Sequence, residues 1–162
     1  MITENTQQII LNILQTSGNQ KLMQIAAVLP QSTFFTARCH SHHRYRGGLA
    51  DHALGVTREL LSNNDLEQRY GRDNLIFAGM FHDLCKAWFG PWQCIHGHGR
   101  RSAKILCDYF HVHLHDDVYD AIRNHMHHSN PRYNPLWAAL HRADHVDAAR
   151  NPQKSISDYH LK

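Results

Sequence analysis

The chain has 162 residues with a formal net charge of +3, and it contains 16 histidines and four cysteines. This length predicts one domain with a sizeable buried core. No apolar run reaches the roughly 18 residues of a membrane span, so no membrane partner is expected. The first residues lack the pattern of a signal peptide. The expected location is the cytoplasm, where cysteine thiols stay reduced.

Apolar residues at helical spacing predict an all-α protein, because few stretches alternate apolar and polar residues. Glycine and proline mark several of the expected helix ends. Seven helices are predicted. The first starts near Thr3, the second covers about 20–29 and the third follows Gly47-Gly48. The next three cover about 73–86, 100–110 and 116–125, and the seventh contains Trp137. The predicted organisation is a single domain over 1–162, with N-terminal helices in 1–30, a core in 40–150 and a tail in 151–162.

Three ionisable side chains fall on the apolar faces of these predicted helices. His52, His125 and Asp144 each follow an apolar residue of the same helix by three or four positions. A charged aspartate in a helical core costs several kcal/mol unless it is paired or bound to a cation. A divalent metal held between facing helices would remove this cost. Histidine and carboxylate ligands together suit manganese, iron, cobalt, nickel or zinc, whereas magnesium prefers oxygen.

His82 and Asp83 are adjacent in the sequence. Neighbours on a helix point about 100° apart, so the pair binds one metal only if both side chains converge, or if Asp83 bridges two metals. A two-metal site can orient a water, lower its pKa and neutralise a phosphate. Each residue taken alone also fits a hydrogen-bonded core position. The prediction of a metal site therefore depends on their ordered combination.

That combination resembles the HD-domain metal-dependent phosphohydrolase superfamily, whose pattern is H…HD…D on an all-helical bundle. The matching segments are GGLADHAL at 47–54, MFHDLCK at 80–86 and AD at 143–144. The resemblance implies an HD-domain bundle of about six to seven helices over roughly residues 40–150. The ligands that it implies for one metal are His52, His82, Asp83 and Asp144.

Binuclear members of this superfamily add two histidines between the HD pair and the last aspartate. The segment GHGRRSA at 97–103 resembles the family's GH…GA element, and IRNH at 122–125 resembles the segment before the final helix. The resemblance thus implies His98 and His125 as ligands of a second metal, with Asp83 bridging the two. His127 and His128 are open alternatives to His125. The expected cofactor is one or two divalent transition metals, with manganese, iron, cobalt or nickel ahead of zinc and magnesium.

Lys86 follows Asp83 by three residues and matches the lysine of the family's HDxxK element. The resemblance implies a cation that holds a substrate phosphate, and Asp83 and Lys86 are the predicted catalytic residues. A narrower likeness lies at 42–49, where HHRYRGGL resembles the HH…GGL signature of HD-type 3′-5′ exoribonucleases and of conjugative-element relaxases. Lys86, His43 and Arg46 are the predicted substrate contacts, and a solvated basic loop is the alternative for the last two.

The predicted function is hydrolysis of a phosphoester in a nucleotide or single-stranded nucleic acid by a metal-activated water. The expected partner is a phosphorylated small molecule or single-stranded nucleic acid, and a homodimer is possible. One alternative is a di-iron oxygenase with the same ligands, which bound iron and O₂ consumption would favour. The other is a non-catalytic nucleic-acid- or nucleotide-binding module of mobile-element transfer, which salt-sensitive binding without turnover would favour.

Overall fold

The computed structural model describes residues 4–90 and 96–150, and every regular element in these ranges is a helix. The predicted all-α bundle is therefore confirmed. The α-helices are α1 (Glu4–Gln15), α2 (Gln20–Val28), α3 (Gly48–Leu61), α4 (Asn64–Tyr70), α5 (Arg72–Phe81), α6 (Cys85–Phe89), α7 (His98–Lys104), α8 (Asp116–Asn124) and α9 (Pro135–Arg150). A 3₁₀ turn, Leu29–Gln31, follows α2, and a π-helical turn, Ile105–Tyr109, extends α7.

Some expectations fall beyond these ranges. The helix start predicted near Thr3 and the tail predicted for 151–162 lie outside the described residues, and the single-domain division stays a prediction. Among the residues described, no helix is long and apolar enough to cross a bilayer.

The predicted helix over 73–86 is wrong in one respect, because the chain divides it into α5 and α6. Between them, the backbone N–H groups of Leu84 and Lys86 bond to carbonyls three residues earlier, at 3.2 and 3.0 Å. These tight turns replace the regular α-helix at His82 and Asp83. The 100° separation expected for helical neighbours therefore does not apply to this pair.

The short helix α4 was also not expected from the sequence. Only Leu66 and Tyr70 of its seven residues are buried, so its apolar periodicity is weak. It forms because the side chain of Asn63 caps it, accepting a hydrogen bond from the Leu66 backbone N–H at 3.2 Å.

Helix α3 lies at the centre of the bundle, where it packs against α5, α9 and α1, while α8 packs against α5, α7 and α9. The core between these helices includes the fully buried side chains Leu49, Leu75, Ile76, Ile122 and Leu140. The apolar faces predicted from the sequence thus form this core, and His52, His125 and Asp144 are buried together with them.

Two helix crossings are unusually close because a glycine stands at each. A Cβ on Gly79 of α5 would lie 2.7 Å from Thr57 Cα of α3. A Cβ on Gly99 of α7 would lie 2.3 Å from the Ile122 carbonyl oxygen of α8. Both distances are below van der Waals contact, so a side chain at either position would separate the helices.

Asn134 fixes the start of α9. Its Oδ1 accepts from the backbone N–H groups of Leu136 and Trp137 at 3.0 and 3.1 Å, as an N-cap does. Its Nδ2 donates to the Asp117 carbonyl and to Asp120 Oδ2 on α8, both at 2.8 Å. The cap therefore anchors α9 to α8 and sets the position of the acidic residues that α9 carries.

Candidate metal centre

Three elements converge on a point that we call the first ligand group, formed by His52, His82, Asp144 and Asp83 Oδ2. His52 lies on α3, Asp144 on α9, and the other two in the turn after α5. His52 Nε2 is 3.1 Å from His82 Nε2 and 3.1 Å from Asp144 Oδ1. It is 3.8 Å from Asp83 Oδ2. All four side chains are buried, with at most 6% exposed.

The second ligand group consists of His98, His125 and Asp83 Oδ1. His98 begins α7, and His125 directly follows α8. Their Nε2 atoms are 3.1 Å apart, and they lie 3.3 and 3.6 Å from Asp83 Oδ1, respectively. Two nitrogens bonded to one ion at about 2.0–2.1 Å lie roughly 3 Å apart. The spacing in both groups therefore suits one ion in each.

Asp83 stands between the two groups, with one carboxylate oxygen facing each. Within the described part of the chain, its Oδ1 is buried without a hydrogen bond, which is costly for a charged oxygen. The Lys86 ammonium donates to Oδ2. Burial opposes the charged carboxylate, but Lys86 and the neighbouring histidines prevail and hold the pKa of Asp83 well below its usual range. A cation beside Oδ1 would supply the missing partner.

The ligand histidines are oriented by acceptors behind them. His82 Nδ1 and His125 Nδ1 each donate to the carbonyl three residues earlier, at 2.8 and 2.7 Å. A carbonyl can only accept, so the proton is on Nδ1 and Nε2 carries the lone pair. His52 Nδ1 donates to the carboxylate of Asp147 at 2.7 Å in the same way. Lone pairs of nitrogen and carboxylate oxygen thus converge on both groups, and this donor set fits divalent transition metals.

In the absence of an ion, a proton on the His52 imidazole provides positive charge beside the carboxylates of the first group. Burial opposes a charged imidazole at His52, but hydrogen bonds to Asp144 and Asp147 prevail and raise its pKa to about 9. Burial lowers the pKa of His82 to about 3. Burial also lowers the pKa of His98. At Asp144 burial opposes ionisation, yet the hydrogen bond with His52 outweighs it and the pKa falls well below its usual range.

A cavity of about 330 Å³ opens onto both ligand groups. The buried residues in its wall are Asp83, Lys86, His98 and Asp144, and the more exposed ones are His40, Ser41, His42, Met126, His145 and Ala148. A larger and more open groove of about 680 Å³ runs along α4 and α9, and no ligand residue lines it. Of these two openings in the described part of the chain, the smaller one reaches the ligand groups.

Lys86 lines this cavity as a substrate contact should, but the two loop residues predicted with it do not. His43 is 3% exposed and is directed towards Asp147 and His42. Arg46 is exposed on the surface and is not part of the cavity wall. The neighbour of His43, His42, is half-buried and does line the wall.

The alternatives left open for the last histidine differ in burial. His125 is 0% exposed and faces His98, whereas His127 and His128 are both exposed. The turn after α8 therefore directs only the first of the three towards the centre.

Asp147 was not expected from the sequence, although it carried a signal. The buried positions of α9 are Leu136, Leu140, Ala143, Asp144 and Asp147. Their spacing is that of one helical face, so the same argument that placed Asp144 inside also applies to the aspartate three residues later. His42 had no such signal, because the loop before α3 has no regular periodicity.

A helical bundle with six buried histidines and aspartates at its centre, arranged so that they could hold metal ions, defines a class of all-α domains. The family described as HD domain matches residues 49–149 of this chain. The chain therefore belongs to the HD domain family, and the superfamily predicted from the sequence is confirmed. The narrower likeness to exoribonucleases and relaxases stays a prediction.

One curated relative matches part of the chain. It is the dihydroneopterin 2′,3′-cyclic phosphate phosphodiesterase of Methanocaldococcus jannaschii, which is 42% identical over 52 residues. The match covers 29% of this chain and 21% of that protein, so the chain spans about a fifth of the relative's length. No solved structure matches the chain. The family and the relative support the predicted enzyme class, an HD-type metal-dependent phosphohydrolase of open subtype.

Proposed function

We propose that the protein hydrolyses a phosphodiester bond of a small phosphorylated molecule with the aid of one or two divalent transition metals. The observation that carries the proposal is the position of Asp83, whose two carboxylate oxygens face two separate groups of ligand atoms. Asp83 and the two sets of nitrogen and oxygen atoms around it could hold two metals, and such a pair would supply two-metal hydrolysis of a phosphoester. Manganese, iron, cobalt and nickel are the proposed metals, ahead of zinc and magnesium.

A bound divalent metal lowers the pKa of water from about 15.7 to about 7 and so supplies a nucleophile at neutral pH. The residues of the chain do the rest. The ligand histidines present Nε2 lone pairs because their Nδ1 protons are donated to fixed acceptors. Lys86 lines the cavity, and its ion pair with Asp83 keeps the ammonium charged. It is the proposed contact for a substrate phosphate.

The cavity supports a small substrate. Its volume of about 330 Å³ lies at the lower end of the range of about 300–1,000 Å³ that is typical of small-molecule sites. The partial relative is named for a cyclic phosphodiester, which is the reason for proposing a diester before a monoester. A single-stranded nucleic acid remains the second substrate class, with its terminal nucleotide in the cavity.

The test is a substrate panel on protein stripped of metal and then reloaded with manganese. The panel contains bis(p-nitrophenyl) phosphate, p-nitrophenyl phosphate, 2′,3′-cyclic mononucleotides and an end-labelled single-stranded oligonucleotide. We expect diesterase activity that disappears in Asp83→Asn and persists in Asp108→Asn. Asp108 is an exposed aspartate whose Oδ2 lies 3.7 Å from Lys104 Nζ, so the control removes a carboxylate away from the centre.

Three outcomes would overturn the proposal. Metal binding without turnover of any phosphoester would favour a binding module. Iron binding with O₂ consumption would favour the oxygenase. Activity that is equal in Asp83→Asn and in the unchanged protein would place the reaction elsewhere in the molecule.

A further inference from the structure

Asp147 is a buried carboxylate that is not part of either ligand group, and it faces two histidines. It is 7% exposed on the inner face of α9. Its Oδ2 accepts a hydrogen bond from His52 Nδ1 at 2.7 Å and lies 3.4 Å from His43 Nε2. One carboxylate oxygen thus holds a metal-ligand histidine and a histidine of the loop before α3.

The contact with His52 determines which nitrogen of that ring is free for a metal. A carboxylate accepts and does not donate, so His52 Nδ1 carries a proton and Nε2 faces His82 and Asp144. His82 and His125 obtain the same orientation from backbone carbonyls. His52 is the one of these three whose orientation depends on a side chain, and it can therefore be tested by substitution.

The helix opposite Asp147 is shaped to receive it. A Cβ on Gly55 of α3 would lie 2.0 Å from Asp147 Oδ1, so any side chain at this position would displace the carboxylate. Seven residues earlier on the same helix, a Cβ on Gly48 would lie 1.9 Å from the His43 carbonyl oxygen. Two glycines on one face of α3 thus admit both partners of this contact.

The contact also extends towards the cavity. His43 faces Asp147 with Nε2, and its Nδ1 is 2.9 Å from His42 Nδ1. The ring centroid of His42 is 4.4 Å from that of His52, and His42 lines the cavity wall. Asp147 Oδ2 lies 3.4 Å from His43 Nε2, and the Nδ1 atoms of His43 and His42 are 2.9 Å apart, so these two contacts connect Asp147 to the cavity wall.

We propose that Asp147 is a positioning residue for the first ligand group. Its carboxylate orients His52 for metal binding and, through His43, holds His42 in the cavity wall. Gly55 is the part of the sequence that makes room for this carboxylate. The inference rests on the proposed metal centre but not on hydrolysis, and metal binding measured directly separates the two.

The first experiment titrates metal-free protein with Co²⁺ and Mn²⁺ by calorimetry, for Asp147→Asn and Asp147→Ala. Both are made in a His125→Ala background, which leaves the first ligand group alone. Loss of a carboxylate behind a ligand histidine lowers metal affinity by about 10- to 100-fold. We expect the full loss for Asp147→Ala and a smaller one for Asp147→Asn, whose amide oxygen still accepts from His52. The visible spectrum of bound Co²⁺ should shift in parallel.

The matched control is Asp120→Asn. Asp120 is a half-buried aspartate on α8 that accepts from Asn124, Asn130 and Asn134 without contacting a ligand histidine. A purely structural role for Asp147 predicts that both substitutions lower stability and that neither lowers metal affinity at equal folded fraction. That result would overturn the proposal, as would equal affinities for Asp147→Asn, Asp147→Ala and the unchanged residue.

A second variant tests the same idea with the carboxylate retained. Gly55→Ala keeps Asp147 but removes the space for Oδ1, so it should weaken metal binding to the first group by a similar factor. Unchanged metal affinity in a folded Gly55→Ala protein would contradict the proposal that the space at Gly55 positions the Asp147 carboxylate. If Gly55→Ala does not fold, the graded series at position 147 decides the matter.

Discussion

His52 and His82 face each other across the crossing of α3 and α5, with their Nε2 atoms 3.1 Å apart. This separation depends on how closely the two helices approach. The two helices come close at Gly79, three residues before His82, where a Cβ would lie 2.7 Å from the Thr57 Cα. The backbone of α3 cannot move away without moving His52 as well.

Gly79→Ala should therefore destabilise the protein and weaken the first ligand group. In a helix without steric conflict, the change from glycine to alanine stabilises by about 0.5–1 kcal/mol. Here overpacking should reverse the sign and cost about 1–3 kcal/mol. Urea unfolding of the metal-free protein measures the cost, and a Mn²⁺ titration measures the ligand geometry. Ala138→Gly, on the exposed side of α9, calibrates the helix propensity, and a more stable Gly79→Ala protein would contradict the close crossing.

Asp83→Ala should remove bound metal and also destabilise the metal-free protein. Lys86 is 7% exposed and donates to Asp83 Oδ2, so the substitution leaves a buried ammonium without this partner, at a cost of about 3–5 kcal/mol. The double variant Asp83→Ala/Lys86→Met should recover much of the stability but none of the metal. Urea unfolding and elemental mass spectrometry measure the two effects separately. Equal stability of the single and double variants would show that the pair is not coupled as the geometry indicates.

Much of the centre could be predicted because its residues obey helical periodicity. His52 and Asp144 project from the apolar faces of α3 and α9, and both helices lie where the sequence predicted a helix. Periodicity alone does not pair residues from different helices, so the grouping of ligands came from the resemblance to a known family. Asp147 was within reach of the same periodicity argument.

The parts that could not be predicted are those where the backbone leaves the regular helix. His82 and Asp83 lie in tight turns between α5 and α6, and no apolar pattern marks that break. His42 and His43 belong to a loop in which His43 has a positive φ of 45°. This conformation is uncommon for residues other than glycine, so it could not be predicted from the sequence. The loop sequence thus predicts His43 and Arg46 as substrate contacts, whereas the loop residue of this pair of histidines that lines the cavity is His42.

His125, rather than His127 or His128, should hold the second metal. His125→Ala should reduce the metal content of a fully loaded protein by about one equivalent, because His98 and Asp83 Oδ1 alone offer too few ligands. His127→Ala and His128→Ala should leave it unchanged, since both side chains are exposed. Elemental mass spectrometry after gel filtration provides the count. Loss of metal in either of the exposed variants would reassign the ligand.

Metal binding to the first ligand group should release a proton and strengthen as the pH rises. The pKa of His52 is raised to about 9 in the metal-free protein, so at neutral pH a proton must leave its imidazole before a metal binds. The affinity should increase about tenfold per pH unit up to about pH 9 and become constant above it. His82 contributes no proton in this range, because its pKa is lowered to about 3. Calorimetry in two buffers of different ionisation enthalpy counts the released protons in the His125→Ala background.

The same titration in Asp147→Asn provides the control for this pH dependence. Hydrogen bonds to Asp144 and Asp147 both raise the pKa of His52, so removing one negative charge lowers that pKa. The proton is then easier to displace, and the affinity should level off at a lower pH than in the unchanged protein. Loss of orientation should keep Asp147→Asn the weaker binder, and its difference from the unchanged protein should be largest at pH 9 and above, where proton competition no longer contributes. Affinity that does not change between about pH 7 and 9 in the parent protein would contradict a protonated His52.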